Sequence, residues 1–173
     1  MIPKIQLDRL ASLRVADVMS REVVSVEAHN TMAKAARVLL ENHVSGAPTI
    51  DEQGRCVGVL SATDFVRREV VRSGTERDVS GSIEHLVEGS AKENPVEIEE
   101  VDDEIVAANM STAVQAIAAD MLVLQAAREM CVGHVHRLPV LDEHGRPQGV
   151  ISSLDIVAAL LNAIDEDRAA AAG

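Results

Sequence analysis

Apolar positions along this chain follow two short-range rhythms, and each is met twice. Within residues 31–42, Met32, Ala35, Ala36, Leu39 and Leu40 recur at the spacing of one helical face, which predicts an amphipathic helix. Val123, Leu124, Ala127 and Met130-Cys131 repeat that stripe. Short β-rich runs at 23–26 and 114–117 precede the two helices, and strands are predicted at 47–50 and 56–60 after the first. Between these strands Asp51-Glu52-Gln53-Gly54 reads as a hairpin turn, with the glycine able to take φ > 0. A second helix begins over 63–71, so the unit reads β-α-β-β-α.

The two units are copies. Displacing the chain by 91 positions lays residues 15–68 on 106–159 without a gap, and about 21 of the 54 pairs are identical. Met19-Ser20 falls on Met110-Ser111, Ala35-Ala36-Arg37 on Ala126-Ala127-Arg128, His43-Val44 on His134-Val135, and Pro48 on Pro139. The run DEQGRCVGVLSATDFV falls on DEHGRPQGVISSLDIV. One such unit buries too little surface to be comfortably stable alone. The expected fold is therefore α+β (mixed α/β), with two β-α-β-β-α repeats packed sheet to sheet around a pseudo-twofold axis. The expected organisation is an N-terminal helical segment (1–14), a first repeat (15–73), an acidic connector (74–105), a second repeat (106–162) and an Ala-rich tail (163–173). Val79, Ile83, Leu86 and Val87 keep helical spacing inside the connector.

Composition narrows the function. The chain has 173 residues, with one Phe and no Tyr or Trp, so base stacking on aromatic platforms is nearly excluded. Net charge is −12, which repels phosphate backbones and anionic membranes, and no basic patch offsets it. Residues 75–104 alone hold 11 acids against Arg77 and Lys92. Neither a nucleic-acid nor a membrane partner is expected. Cys56 and Cys131 lack CxxC spacing, which suits a reducing compartment, and both fall on elements expected to face the core. With no secretory-type apolar segment, a cytoplasmic location is expected.

The tandem motifs, VSGAP with GVLSATD and HRLPVLD with GVISSLD, resemble a pair of cystathionine-β-synthase (CBS) domains over about 110 residues. The resemblance implies a stand-alone regulatory pair that binds an adenosine-containing ligand between its repeats. Such pairs often dimerise further, so a homodimer and a regulated partner protein are implied. No cofactor is required on this reading. The ligand is regulatory, an adenine nucleotide or S-adenosylmethionine.

Residue roles follow from the same comparison. Ser61 and Ser152 stand where a helix starts, and Asp64 and Asp155 fall on its first turn, an arrangement that serves either as plain N-capping or as ligand contact. In the family pattern the two aspartates hold ribose hydroxyls, and Thr63 adds a hydroxyl that Leu154 lacks. Adenine is expected among Val23, Ser25, Ala47 and Pro48 in one copy, and among Val114, Ala116, Leu138 and Pro139 in the other. His136-Arg137 replaces Ser45-Gly46, and a guanidinium beside an imidazole suits phosphate. Its bland counterpart is an exposed Arg next to a strand-edge His. His134-x-His136 has the alternation of half a metal site, but without further ligands nearby it is expected to be structural, as is His43. No catalytic motif occurs, so no enzyme is expected. A competing expectation is a ligand-independent interaction or scaffolding module.

Overall fold

A computed structural model of the chain describes residues 11–72 and 104–172. The expected N-terminal helical segment falls largely outside these residues. So does almost all of the connector, including its helical pattern at Val79–Val87.

Each copy forms one three-stranded sheet, and the fold is mixed α and β as expected. In the first, α1 (Val15–Val18) is followed by β1 (Val26–Glu27), α2 (Met32–Glu41), β2 (Gly46–Ile50), β3 (Cys56–Ser61) and α3 (Ala62–Arg72). The second repeats the order with α4 (Val106–Asn109), β4 (Ile117–Ala118), α5 (Val123–Gly133), β5 (Arg137–Leu141), β6 (Pro147–Ser152) and α6 (Ser153–Ala172). In both sheets the middle strand pairs parallel with the short first strand and antiparallel with the last. The hairpins close on Asx turns. The Asp51 carboxylate accepts the backbone N–H groups of Gln53 and Arg55, and Asp142 does the same for His144 and Arg146. Gly54 and Gly145 take the left-handed conformation that such turns need, with φ of 76° and 75°.

The β-rich runs at 23–26 and 114–117 are almost entirely outside the sheets, because only Val26–Glu27 and Ile117–Ala118 find a partner. The residues before them are spent on a crossing. Each copy's opening segment leaves its own sheet and docks on the other's. Ser20 bridges Val150, and its counterpart Ser111 bridges Val59. Val15 and Met19 enter the core of the second sheet with Ile117, Leu138 and Ile151. Val106 and Met110 join the first-sheet core with Val26, Met32 and Leu60. The exchange is reciprocal down to its hydrogen bonds. Val15 and Ala16 donate to the carbonyls of Met121 and Ala119, and Val106 and Ala107 donate to those of Asn30 and Ala28.

Two expected core positions face outward. Cys131 is exposed, because the buried stripe of α5 runs through Val123, Ala126 and Met130 and the next residue is turned about 100° away. Leu40 is likewise exposed beside buried Leu39. Cys56 is half-buried, and desolvation pushes its thiol up from its ordinary value.

Candidate functional site

The crossing segments and the two sheets enclose one cleft of about 760 Å³, walled by matched residues from both copies. Its polar ends are the two strand-to-helix junctions. Ser61 closes β3, and the chain turns at once into α3. The Asp64 carboxylate reaches back to accept the Ser61 backbone N–H (2.8 Å) and hydroxyl (2.7 Å). Ser152 and Asp155 repeat this geometry at the start of α6, both at 2.7 Å, and the Asp155 N–H donates to Ser152 Oγ at 3.2 Å. In both copies the aspartate satisfies the N–H of the serine at the helix start, and in the second the serine hydroxyl returns the bond, so the cap is reciprocal there.

Beyond the cap the two aspartates differ. Asp64 Oδ1 accepts from Arg67 Nη1 at 3.1 Å and, more weakly, from the Ser111 hydroxyl of the crossing segment at 3.5 Å. Asp64 is 4% exposed. At the position matching Arg67 the second copy has Ala158, and Asp155 is only half-buried. Its Oδ1 takes no hydrogen bond among the described residues.

Arg137 stands directly across β5–β6 from Ser152, one strand from the Asp155 cap. Its guanidinium is exposed and takes no hydrogen bond or ion pair among the described residues. The neighbouring His136 carbonyl accepts the Ser153 N–H at 3.0 Å, which ties the strand to the helix start. The first copy has Gly46 opposite Ser61, where a Cβ would lie 3.0 Å from the Leu60 carbonyl oxygen.

Among the sequence-predicted site residues, Ser61, Thr63, Asp64, Ser152 and Asp155 line the cleft, as do His136 and Arg137. The cleft floor also includes Ala47, Pro48, Leu138 and Pro139. Val23, Ser25, Val114 and Ala116 do not line it. On those segments the lining residues are instead Glu22 and Val24, and Ala113 and Gln115. Ser20 and Ser111 also line the cleft and were not singled out as site residues; their recurrence beside Met in both copies was the available signal. Leu154 points to solvent, 75% exposed, where matching Thr63 faces the cleft. His43 and His134 both occupy left-handed positions at helix ends, with φ of 53° and 50°. His134 donates its backbone N–H to the Met130 carbonyl as a C-cap. Among the described residues no three His, Cys, Asp or Glu side chains cluster as a metal site would.

Two sheets joined by exchanged segments around a shared cleft define a tandem-repeat architecture. The CBS domain family model matches residues 15–70 and 101–162, and the chain belongs to that family. An uncharacterized protein of Methanocaldococcus jannaschii, MJ1426, is 28% identical over 154 residues, covering 85% of this chain and 90% of its own. A second relative from that organism, an L-aspartate semialdehyde sulfurtransferase, is 23% identical over 142 residues, covering 82% of this chain but only 22% of the enzyme. Among solved structures, the CBS domain pair of protein MJ0100 in complex with 5′-methylthioadenosine and S-adenosyl-L-methionine superposes with a TM-score of 0.62 at 18% identity. It covers 84% of this chain and 94% of that one. CBSX2 in complex with AMP gives a TM-score of 0.63 at 22% identity, covering 86% and 96%. At these identities the likeness is one of fold.

Proposed function

We propose that the chain is a regulatory module that binds an adenosine-containing ligand, of the AMP, ADP, ATP or S-adenosylmethionine class, in the cleft between its repeats. One observation carries the reading. The Asp155 oxygen and the Arg137 guanidinium, both without a partner among the described residues, stand on the same wall, across one strand pair, over an aliphatic floor. A carboxylate oxygen already fixed by its own cap accepts ribose hydroxyls at little further cost in ordering. A free guanidinium is matched in shape and charge to phosphate oxygens, which favours the nucleotides over S-adenosylmethionine at this end. That solved CBS pairs hold AMP or S-adenosylmethionine supports the ligand class.

The ligand touches both copies at once, so its binding biases their relative placement by its differential affinity for the two arrangements and no more. Val66 and Val71 on α3, and Leu154 and Leu161 on α6, are exposed apolar side chains suited to a homodimer or a regulated protein. No helix among the described residues is long and apolar enough to cross a membrane, and the module is read as acting in the cytoplasm. We read it as non-catalytic, with the ligand as signal and not cofactor.

The test is calorimetric titration with AMP, ADP, ATP, NAD and S-adenosylmethionine. Saturable binding that weakens at least tenfold in Asp155→Ala is expected. The same exposed apolar helices favour a second reading, a ligand-independent interaction module. That reading prevails if folded protein binds none of these compounds.

A further inference from the structure

The two ends of the cleft are built from the same residues but are not in the same state. Asp64 has both carboxylate oxygens engaged: Oδ2 by the Ser61 N–H and hydroxyl, Oδ1 by Arg67 and Ser111. Asp155 has the same two cap bonds and, among the described residues, nothing on its second oxygen. Part of the difference is a substitution between the copies, since Arg67 is matched by Ala158. Ser20, the counterpart of Ser111, makes no such bond to Asp155.

We infer that Arg67, Asp64 and Ser111 form an internal latch that closes the first half of the cleft, so that each chain takes one adenosyl ligand, at Asp155. The inference rests on the adenosyl reading above and adds the stoichiometry and the residues that set it. The Arg67 ion pair by itself is weak, because the arginine side chain is 65% exposed. Its effect is occlusion. The guanidinium and the Ser111 hydroxyl take the one oxygen that a ribose needs, and the carboxylate behind them has almost no contact with solvent. A ribose entering there must displace both the guanidinium and the Ser111 hydroxyl from that oxygen, whereas at Asp155 it displaces neither. It also gains no phosphate partner from this position, because Gly46 stands where the other end has Arg137, and a Cβ there would press on the Leu60 carbonyl oxygen at 3.0 Å. Ser111 belongs to the crossing segment of the second copy, so the latch also staples the two copies together at the closed end.

The experiment counts ligands per chain by calorimetry, with AMP and adenosine as probes, in the wild type and in an Arg67→Met/Ser111→Ala double variant whose fold is checked by thermal melting. Wild type is expected to bind one per chain. The double variant is expected to bind two, the first with affinity unchanged within twofold and the second at least tenfold weaker. Adding Asp155→Asn to it should remove the tight event and leave the weak one, whereas adding Asp64→Asn should do the reverse. Two ligands per wild-type chain overturn the latch while leaving the adenosyl reading intact, and so does a double variant that still binds one. If the double variant fails to fold, Arg67→Met alone is read in the same way. No binding of either probe to folded wild type overturns the latch together with the reading on which it rests.

Discussion

Gly149 lies directly beneath Met19: a Cβ at this glycine would overlap the methionine sulfur and sit 3.0 Å from the Ser20 carbonyl oxygen. Gly58 and Met110 repeat the relationship at the other crossing. The glycines are thus the surface on which the exchanged segments rest, held by the Ser20–Val150 and Ser111–Val59 bridges.

Gly149→Ala should therefore lower stability although glycine 149 is in a strand, where alanine is ordinarily no worse. Lifting the segment off the sheet is an overpacking cost of about 1–3 kcal/mol, read as a fall of several degrees in the melting midpoint. An unchanged midpoint would mean that Met19 has room to swing aside.

Thr49 gives a prediction of opposite sign. It is fully buried on the central strand of the first sheet, and its hydroxyl has no hydrogen-bond partner among the described residues. The second sheet has Val140 in the same register, each residue standing opposite the buried first-strand residue, Val26 or Ile117. Thr49→Val keeps the shape and removes an unpaired polar group, so it should stabilise the protein by about 1–2 kcal/mol. Chemical denaturation should show a raised midpoint with unchanged slope.

Arg137 should separate nucleotide from nucleoside. A charge-assisted hydrogen bond is worth about 1.5–3 kcal/mol, so Arg137→Ala should weaken AMP roughly tenfold or more. Adenosine, which has no phosphate, should change by less than about twofold. The salt dependence of AMP binding should also flatten in the variant. Equal losses for both ligands would assign Arg137 a structural role.

The cysteines should differ in reactivity. Cys131 is exposed, while Cys56 is half-buried with its thiol pushed up by desolvation. The thiolate is the reactive form, so raising the pKa lowers the reactive fraction at any pH below it. At pH 8 iodoacetamide should modify Cys131 promptly and Cys56 slowly. The rate at Cys56 should climb only as pH rises past the ordinary cysteine value of about 8.5. Peptide mass spectrometry over a pH series reads both, and equal rates at pH 8 would contradict the assignment.

Much of this was legible in the sequence because it rests on local chemistry. The Asp51 and Asp142 turns, the Ser-x-x-Asp helix starts and the stripe of α2 each depend on residues within four positions of one another, and all are present. What was not legible depends on which partner a segment finds. Residues 23–25 are β-rich, but most of the segment crosses between sheets, and the family resemblance pointed to Val23 and Ser25 where Glu22 and Val24 line the cleft. The state of Asp64 was hidden for the same reason. One of its ligands, Ser111, is 47 residues away and arrives only through the exchange.

The exchange also bears on how two alike halves became unlike. A single copy has an opening segment with no place of its own, and two single-copy chains could complete each other by the same reciprocal contacts. In such an assembly every substitution appears twice, on both sides of the axis. Joining the halves in one chain lifts that constraint. Arg67 could then enter one half and His136-Arg137 the other, each change made once and answered by nothing across the axis.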